Sequence, residues 1–414
     1  MAKRSEKVPT PRPQRETPVV DAPRASMPQP ARFQWFWWAL AIAGILLRVG
    51  LWWTSIGTND IDNWQLHGKN VVDNGLTRAY VTSAIFNHPP LIGLYSGLVW
   101  SLADSNLIVF ARLIKLPGLA GEAVTLWALW RFAGVQTFAV YALMPAAILV
   151  AGFHGNTDTL YAALVLVAAI AFDRKQFLLS GLLWSASLNV KLLPIVLIPM
   201  VFISAPDLRA LSRLAVGFAA GLLTFIPPAL GAAKAMYRNM LAYNSTPDNW
   251  GILAFLNSAA ATPSIMGFFS PIRQWYLGSG RYVILASIIF VALLSRYRHR
   301  LPMTVQAALG ASLFLIFAPG FGVQYVVFPL PLLCYVDLPA GVRYGCLAGL
   351  FIAMDYWVFL TSWWPLRTWV TSSLPGPVPL FVLLAWAVLL HFTRVHLAAA
   401  WQQQPSHRGF SANW

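Results

Sequence analysis

Residues 35–56 read WFWWALAIAGILLRVGLWWTSI, with Arg48 as the single charge. A helix needs about 20 predominantly apolar residues to cross the hydrocarbon core of a bilayer. This stretch therefore predicts a membrane span, with Arg48 near its outer end, where a long side chain snorkels or meets a phosphate. The rest of the chain repeats the theme. It is 58% hydrophobic and only 10% charged over 414 residues, with a mean hydropathy of +0.61. A soluble protein is about 25% charged, and so few charges could not cover the surface of a soluble fold of this size. The 19 Trp residues suit the interfacial layers, where amphipathic rings sit at headgroup level.

Net charge is +15. The basic residues lie between apolar runs and in the N-terminal tail, which points to membrane topology and anionic lipid rather than nucleic acid. Residues 1–32 are rich in Pro and in Lys and Arg and read as a disordered cytoplasmic tail. Their basic excess sets the N-terminus inside. No small-residue cleavage site follows the first apolar run, so no cleavable signal peptide is expected. Cys334 and Cys346 show no CxxC or metal-type spacing and read as packing residues.

Outward from the first span, residues 57–90 are the longest polar stretch inside the apolar body and hold Asp60, Asp62 and Asp73. Leu91–Ala103 is short for a span. Laid flat on the outer surface, it keeps Arg131 and the Asp173–Arg174–Lys175 turn inside, in line with the charge bias. Further spans are expected near 107–131, 135–152, 157–173, 210–230, 280–295, 302–318, 322–337, 343–362 and 377–394. Residues 178–203 read as two short helices broken near Asn189–Pro194. The sum is an all-α polytopic membrane protein with about twelve membrane segments and both termini cytoplasmic. Its expected divisions are the tail 1–32, an N-terminal transmembrane module 33–230, an extracytoplasmic loop region 231–279, a C-terminal module 280–395 and a cytoplasmic tail 396–414.

Only 14 acidic residues exist, so a general base can be sought by elimination. Glu6, Glu16, Asp21, Asp173, Asp207 and Asp337 fall inside. Glu122 and Asp355 lie within spans and read by default as buried structural pairs. Asp60, Asp62, Asp73, Asp104, Asp158 and Asp248 fall outside. Asp60 and Asp62 are held at the membrane boundary by the span before them. His88, in Asn87-His-Pro-Pro-Leu91, precedes a pre-organised helix start. In Gly152-Phe-His-Gly-Asn-Thr-Asp158, a helix-capping role for Asn156 or Thr157 competes with a site role for His154 and Asp158. An Asp/His/Asp group of Asp60, His154 and Asp158 would bind a divalent metal, Mg or Mn, or orient a leaving group. Lys191 interrupts an apolar run, and a membrane ammonium must face a cavity or an anion. Arg238, Gln324 and Tyr325 are further outer-side candidates.

These stretches resemble the GT-C superfamily of membrane glycosyltransferases in order and position. An Asp follows the first span (Asn59-Asp60-Ile61), and a Pro-Pro juxtamembrane helix follows it (Asn87-His88-Pro89-Pro90-Leu91). Ala111–Leu113 enters the next span, and Gly155-Asn156-Thr157-Asp158 is similar to the family's Gly-Gln-x-Asp loop, with Asn156 in place of Gln. Lys191–Pro194 and Gly322–Tyr325 complete the series over roughly residues 35–395.

The resemblance implies inverting transfer of a hexose or pentose from a polyprenyl-phosphate sugar to a lipid-linked or cell-envelope glycan on the extracytoplasmic face. A first-loop Asp, Asp60 by position with Asp62 as the alternative, would be the base. Lys191, His88, Arg238 and, more weakly, Arg48 would meet the donor phosphate. Asp158, His154, Asn156, Gln324 and Tyr325 would meet donor, acceptor or metal. A competing expectation is a transporter or lipid flippase. That class places polar groups near the bilayer midplane and shows internal repeats. Glu122 and Asp355 fit it, but the outer clustering of Asp60, His88, His154 and Asp158 does not.

Overall fold

The structure is a computed structural model that describes residues 34–242, 250–298, 301–356 and 378–402. Expectations placed on residues 1–32, on Asp248, on 357–362 and on the tail beyond 402 lie outside the described residues. The chain is all-α, with no strand among the described residues. Helix α1 spans Gln34–Thr54. A cluster of short helices follows: α2 (Asp60–Asn74), α3 (Leu76–Thr82) and α4 (Pro90–Ala103). Then come α5 (Leu107–Ile114), α6 (Leu116–Ala133), α7 (Val135–Ala142), α8 (Pro145–Ile148) with a wide turn over Leu149–His154, α9 (Asp158–Asp173) and α10 (Phe177–Val190). A tight turn at Leu193–Leu197 leads to α11 (Ile198–Ile203), α12 (Leu208–Leu222) and α13 (Ile226–Met236). The chain ends with α14 (Gly251–Ala261), α15 (Met266–Tyr297), α16 (Met303–Phe317), α17 (Leu330–Val336), α18 (Leu338–Asp355) and α19 (Val378–Gln402).

Four segments, Gln34–Thr54, Leu208–Leu241, Met266–Tyr297 and Leu380–Gln402, are long and apolar enough to cross a membrane. Val135–Ala142 and Pro145–His154, bent by 60°, make a fifth if the pair is one span. Helix α1 exposes Trp35, Ile42, Leu46, Leu47 and Trp53, the outward apolar face expected against lipid tails. The expected span 107–131 is two helices, because the chain breaks at Lys115, whose buried ammonium donates to Ser55 O over 2.8 Å. The expected break near Asn189–Pro194 is present: α10 stops at Val190, and Lys191 is extended.

The region 231–279, expected as loop, is largely helical. It holds the end of α13, all of α14 and the first part of α15. The physical reason is length. Helix α15 has 32 residues, about 48 Å at 1.5 Å per residue, against a hydrocarbon core of about 30 Å. Its early part, with Ser270, Pro271, Arg273 and Gln274, reads as loop, yet the backbone stays helical from Met266 to Tyr297.

Two features position the site. Helix α2 carries an apolar stripe, with Ile61, Trp64 and Val71 buried. Ile61 and Trp64 pack with Ile92 and Val99 of α4 and Phe110 of α5. Helix α4, at 14 residues, is about 21 Å long and too short to cross the core. It lies across α2, and Val71 joins Tyr80, Phe86 and Met236 in a second cluster that ties α3 to α13. Helices α10 and α12 meet at Gly181 and Gly217. A Cβ on either would lie 2.1 Å from a carbonyl oxygen of the other helix. Small residues at such crossings let backbones touch in a membrane, and here they fix the end of α10 from which Lys191 projects.

Candidate active site

The turn after α1 is built on Gly57, whose φ of +115° suits glycine. A Cβ there would fall 2.9 Å from both Phe153 O and His154 O. The bare backbone lets Thr58 N donate to His154 O over 3.1 Å, and it brings the Thr58 hydroxyl 3.0 Å from His154 Nδ1. Asp60 then opens α2. Asn156 Nδ2 donates to Asp60 Oδ2 over 2.6 Å. His154 Nε2 lies 3.1 Å from the same oxygen, off the axis of a ring hydrogen bond. Both contacts fall on Oδ2, so among the described residues Oδ1 is unclaimed, and the side chain keeps 23% exposure.

The opposite wall is the turn before α9. Gly155 adopts φ +89°, and Asn156 Oδ1 accepts from Thr157 N over 2.7 Å, so the amide that holds Asp60 is itself held. Asp158 is the first residue of α9. Both carboxylates thus sit at helix N-termini, where negative charge is favoured. Asp158 is fully buried, and Lys191 Nζ reaches its two oxygens at 2.8 and 2.9 Å. The ammonium also lies 4.7 Å from the centre of the Tyr325 ring, a cation–π distance. The parallel Tyr356 ring stacks on His154 at 5.3 Å.

Electrostatics separate the loop groups. Burial works against ionisation of Asp60. Burial is the largest single influence, but the His154 imidazole, then the Lys191 ammonium and the Asn156 amide, together outweigh it and hold the carboxyl well below its usual range. Burial pushes His67 down to about 4, against the opposing pull of Asp60. His88 is pushed well below its ordinary value, chiefly by burial and then by His67 and Lys191. The two imidazoles are neutral at pH 7. His88 stacks on Trp64 at 4.0 Å, its backbone oxygen accepts from Tyr80 Oη over 2.7 Å, and His67 meets it edge-on at 5.0 Å.

Of the residues singled out by sequence, Asp60, His154, Asn156, Asp158, Lys191 and Tyr325 form one connected group. His88 joins the flank of α2. Asp62 lies in the same first turn as Asp60, roughly 200° around the helix axis from it. Gln324 is half-buried one residue before Tyr325. Arg238 is exposed beside Asn239, to which its Nε donates over 3.0 Å. Arg48 is buried apart from this group, and its Nε lies 2.9 Å from Glu122 Oε2. Its Nη1 also donates to the backbone oxygens of Gly44 and Ala142. Tyr141 Oη donates to Glu122 Oε1 over 2.9 Å. Arg48 and Glu122 line a separate apolar cavity with Trp38, Trp127 and Phe138.

Asp60, His154 and Asp158 do not fit a divalent ion. Both oxygens of Asp158 face Lys191, and among the described residues no group of three His, Cys, Asp or Glu side chains converges on one point. Sequence reasoning missed Thr58, His67, Tyr161 and Tyr356. Only His67 left a signal, seven residues after Asp60 and so on the same face of α2.

An all-α membrane fold with a cluster of polar side chains on the turns that follow α1 and precede α9 is what the described residues define. No family model and no curated protein matches the chain. Among solved structures the chain is similar to ArnT from Cupriavidus metallidurans bound to undecaprenyl phosphate. The TM-score is 0.46 at 15% identity, over 89% of this chain and 78% of that one. At that TM-score and identity the likeness carries no argument about function.

Proposed function

We propose that this chain is an inverting glycosyltransferase of the GT-C kind. It moves a sugar from a polyprenyl-phosphate donor to a lipid-linked or cell-envelope glycan hydroxyl on the extracytoplasmic face. The observation that carries the reading is the continuity of the two carboxylate stations: Asp60 is tied to Asn156 at 2.6 Å, and two residues on, Asp158 is tied to Lys191 at 2.8 Å. A carboxylate suited to be the base and an ammonium are therefore linked through one short turn.

The chemistry divides between them. The acceptor oxygen forms a bond to the anomeric carbon from the side opposite the phosphate. The carbon–oxygen bond to the phosphate breaks, and its electron pair stays on the phosphate. The acceptor proton goes to Asp60 Oδ1. Asp60 is ionised and of low proton affinity, so it takes the proton late, as the oxygen gains positive charge. A positioned base of this type contributes about 100- to 10,000-fold. The leaving phosphate needs charge stabilisation rather than a proton, and Lys191 is the nearest cation to Asp60 in the network, with His88 a neutral hydrogen-bonding neighbour. Catalysis in this scheme uses no metal, in keeping with the pairing of Asp158 to Lys191.

The test is transfer from a panel of labelled polyprenyl-phosphate hexoses and pentoses in membranes holding the wild type or Asp60→Asn. Transfer by the wild type from one donor, lost in a variant of normal abundance, supports the reading. Absence of transfer from every donor, or equal transfer by both proteins, defeats it.

A further inference from the structure

Two contacts of the three-donor Lys191 ammonium hold Asp158, so turning that ammonium fully to a donor phosphate releases the carboxylate. Asp158 is fully buried, both of its oxygens are engaged by Lys191, and an ionised carboxylate stripped of its only cation inside a protein is strongly destabilising. The exchange needs a substitute partner at the same place. Tyr161 is that group. It lies three residues after Asp158 on α9, so the two side chains are neighbours on one helix face. It borders Lys191 as well, whose Nζ is 5.9 Å from the centre of its ring. Its ring is fully buried, packed edge-on against Phe328 at 5.4 Å. Its hydroxyl is buried and makes no hydrogen bond of full geometry among the described residues, yet it already acts on the Asp158 carboxylate at hydrogen-bonding range. A buried phenol short of a well-aligned partner is a standing cost, and its place beside Asp158 gives that cost a use.

Resting on the phosphate role assigned to Lys191 above, we infer that Tyr161 is a positioning residue that takes over Asp158 when Lys191 turns to the donor phosphate. The phenol donates to the carboxylate, the ammonium is released to the ligand, and no covalent bond changes. The ligand class is a phosphate monoester or diester headgroup.

The experiment measures binding of a short-chain polyprenyl phosphate carrying no sugar, with inorganic phosphate in parallel, to the full chain in detergent. Tyr161→Phe is compared with wild type, alone and on an Asp158→Asn background. The inference expects binding to weaken about tenfold on the wild-type background, the size of one lost hydrogen bond to a charged group. It expects no weakening where Asp158 is already neutral. Equal loss on both backgrounds means that Tyr161 touches the ligand directly, and no loss on either means that it does nothing here; both overturn the inference while leaving the phosphate site intact. No binding by the wild type overturns the site and the inference together. Should Asp158→Asn fail to accumulate, melting of Tyr161→Phe decides. A ligand-free melting temperature at or above wild type with a smaller rise on adding ligand supports the exchange, and an unchanged rise overturns it. Binding by the lipid but not by inorganic phosphate assigns the headgroup to a lipid source, and binding by both assigns it to phosphate alone.

Discussion

Asn156 Nδ2 donates to Asp60 Oδ2 over 2.6 Å, joining positions 96 residues apart. The contact orients the carboxylate from outside its own helix, and Asn156 is in turn held through Thr157 N. Asn156→Ala should therefore leave the fold in place and lower transfer about tenfold, the loss expected of one hydrogen bond to a charged group. Initial rates from labelled donor, normalised to protein in the membrane, check this. Rates equal to wild type would remove Asn156 from the site.

Asp60 and Asp62 share a helical turn but not a face. Asp60→Asn should cut transfer by about 100- to 10,000-fold, whereas Asp62→Asn should stay near wild type. The reverse ranking would move the base to Asp62 and discard the role drawn from the Asn156 and His154 contacts.

Glu122→Gln leaves Arg48 charged and buried without its carboxylate. Breaking a buried pair costs about 3–5 kcal/mol, so the variant should melt lower and accumulate poorly. Donor affinity of the surviving fraction should be unchanged, because Arg48 faces Glu122 and the backbone of Gly44 and Ala142 rather than Asp60. A selective loss of donor affinity at normal yield would return Arg48 to the phosphate.

Acid stability follows from the buried imidazole of α2. Folding lowers His67 from 6.5 to about 4, so the unfolded chain takes up the proton first as pH falls. Stability is then full above 6.5 and declines as pH drops towards 4. His67→Gln should flatten part of that decline, the remainder coming from His88, which burial also holds low. Melting temperatures of wild type and variant across pH 4–7 in detergent provide the check, and parallel curves would remove His67 as the source.

The parts of this molecule that local sequence specifies were readable from it. The first span, expected at 35–56, is Gln34–Thr54, because a long apolar run has one outcome in lipid. Pro89–Pro90 start α4, and α10 ends at Val190, four residues before Pro194, since a proline ring clashes with the carbonyl four residues back in a continuing helix. What escaped was set by distance along the chain. Nothing near Arg48 announces Glu122, 74 residues away, and nothing near Gly57 announces that its missing side chain makes room for His154. The aspartates could be shortlisted by scarcity, but their ranking depended on Asn156 and Lys191. Likewise α14, at 11 residues, is too short to register as a span, and the early part of α15 carries Ser270, Pro271, Arg273 and Gln274, which read as loop while the backbone stays helical.

The extended residue at the end of α10 has a consequence for biogenesis. Asp60 emerges with the first span, yet the ammonium that neutralises Asp158 is synthesised far later. A nascent chain halted before Val190 would hold Asp60 and Asp158 without the ammonium that pairs with Asp158. On the proposed phosphate role of Lys191, such a half-made protein would be silent towards a donor, and transfer would wait until the ribosome has delivered residue 191.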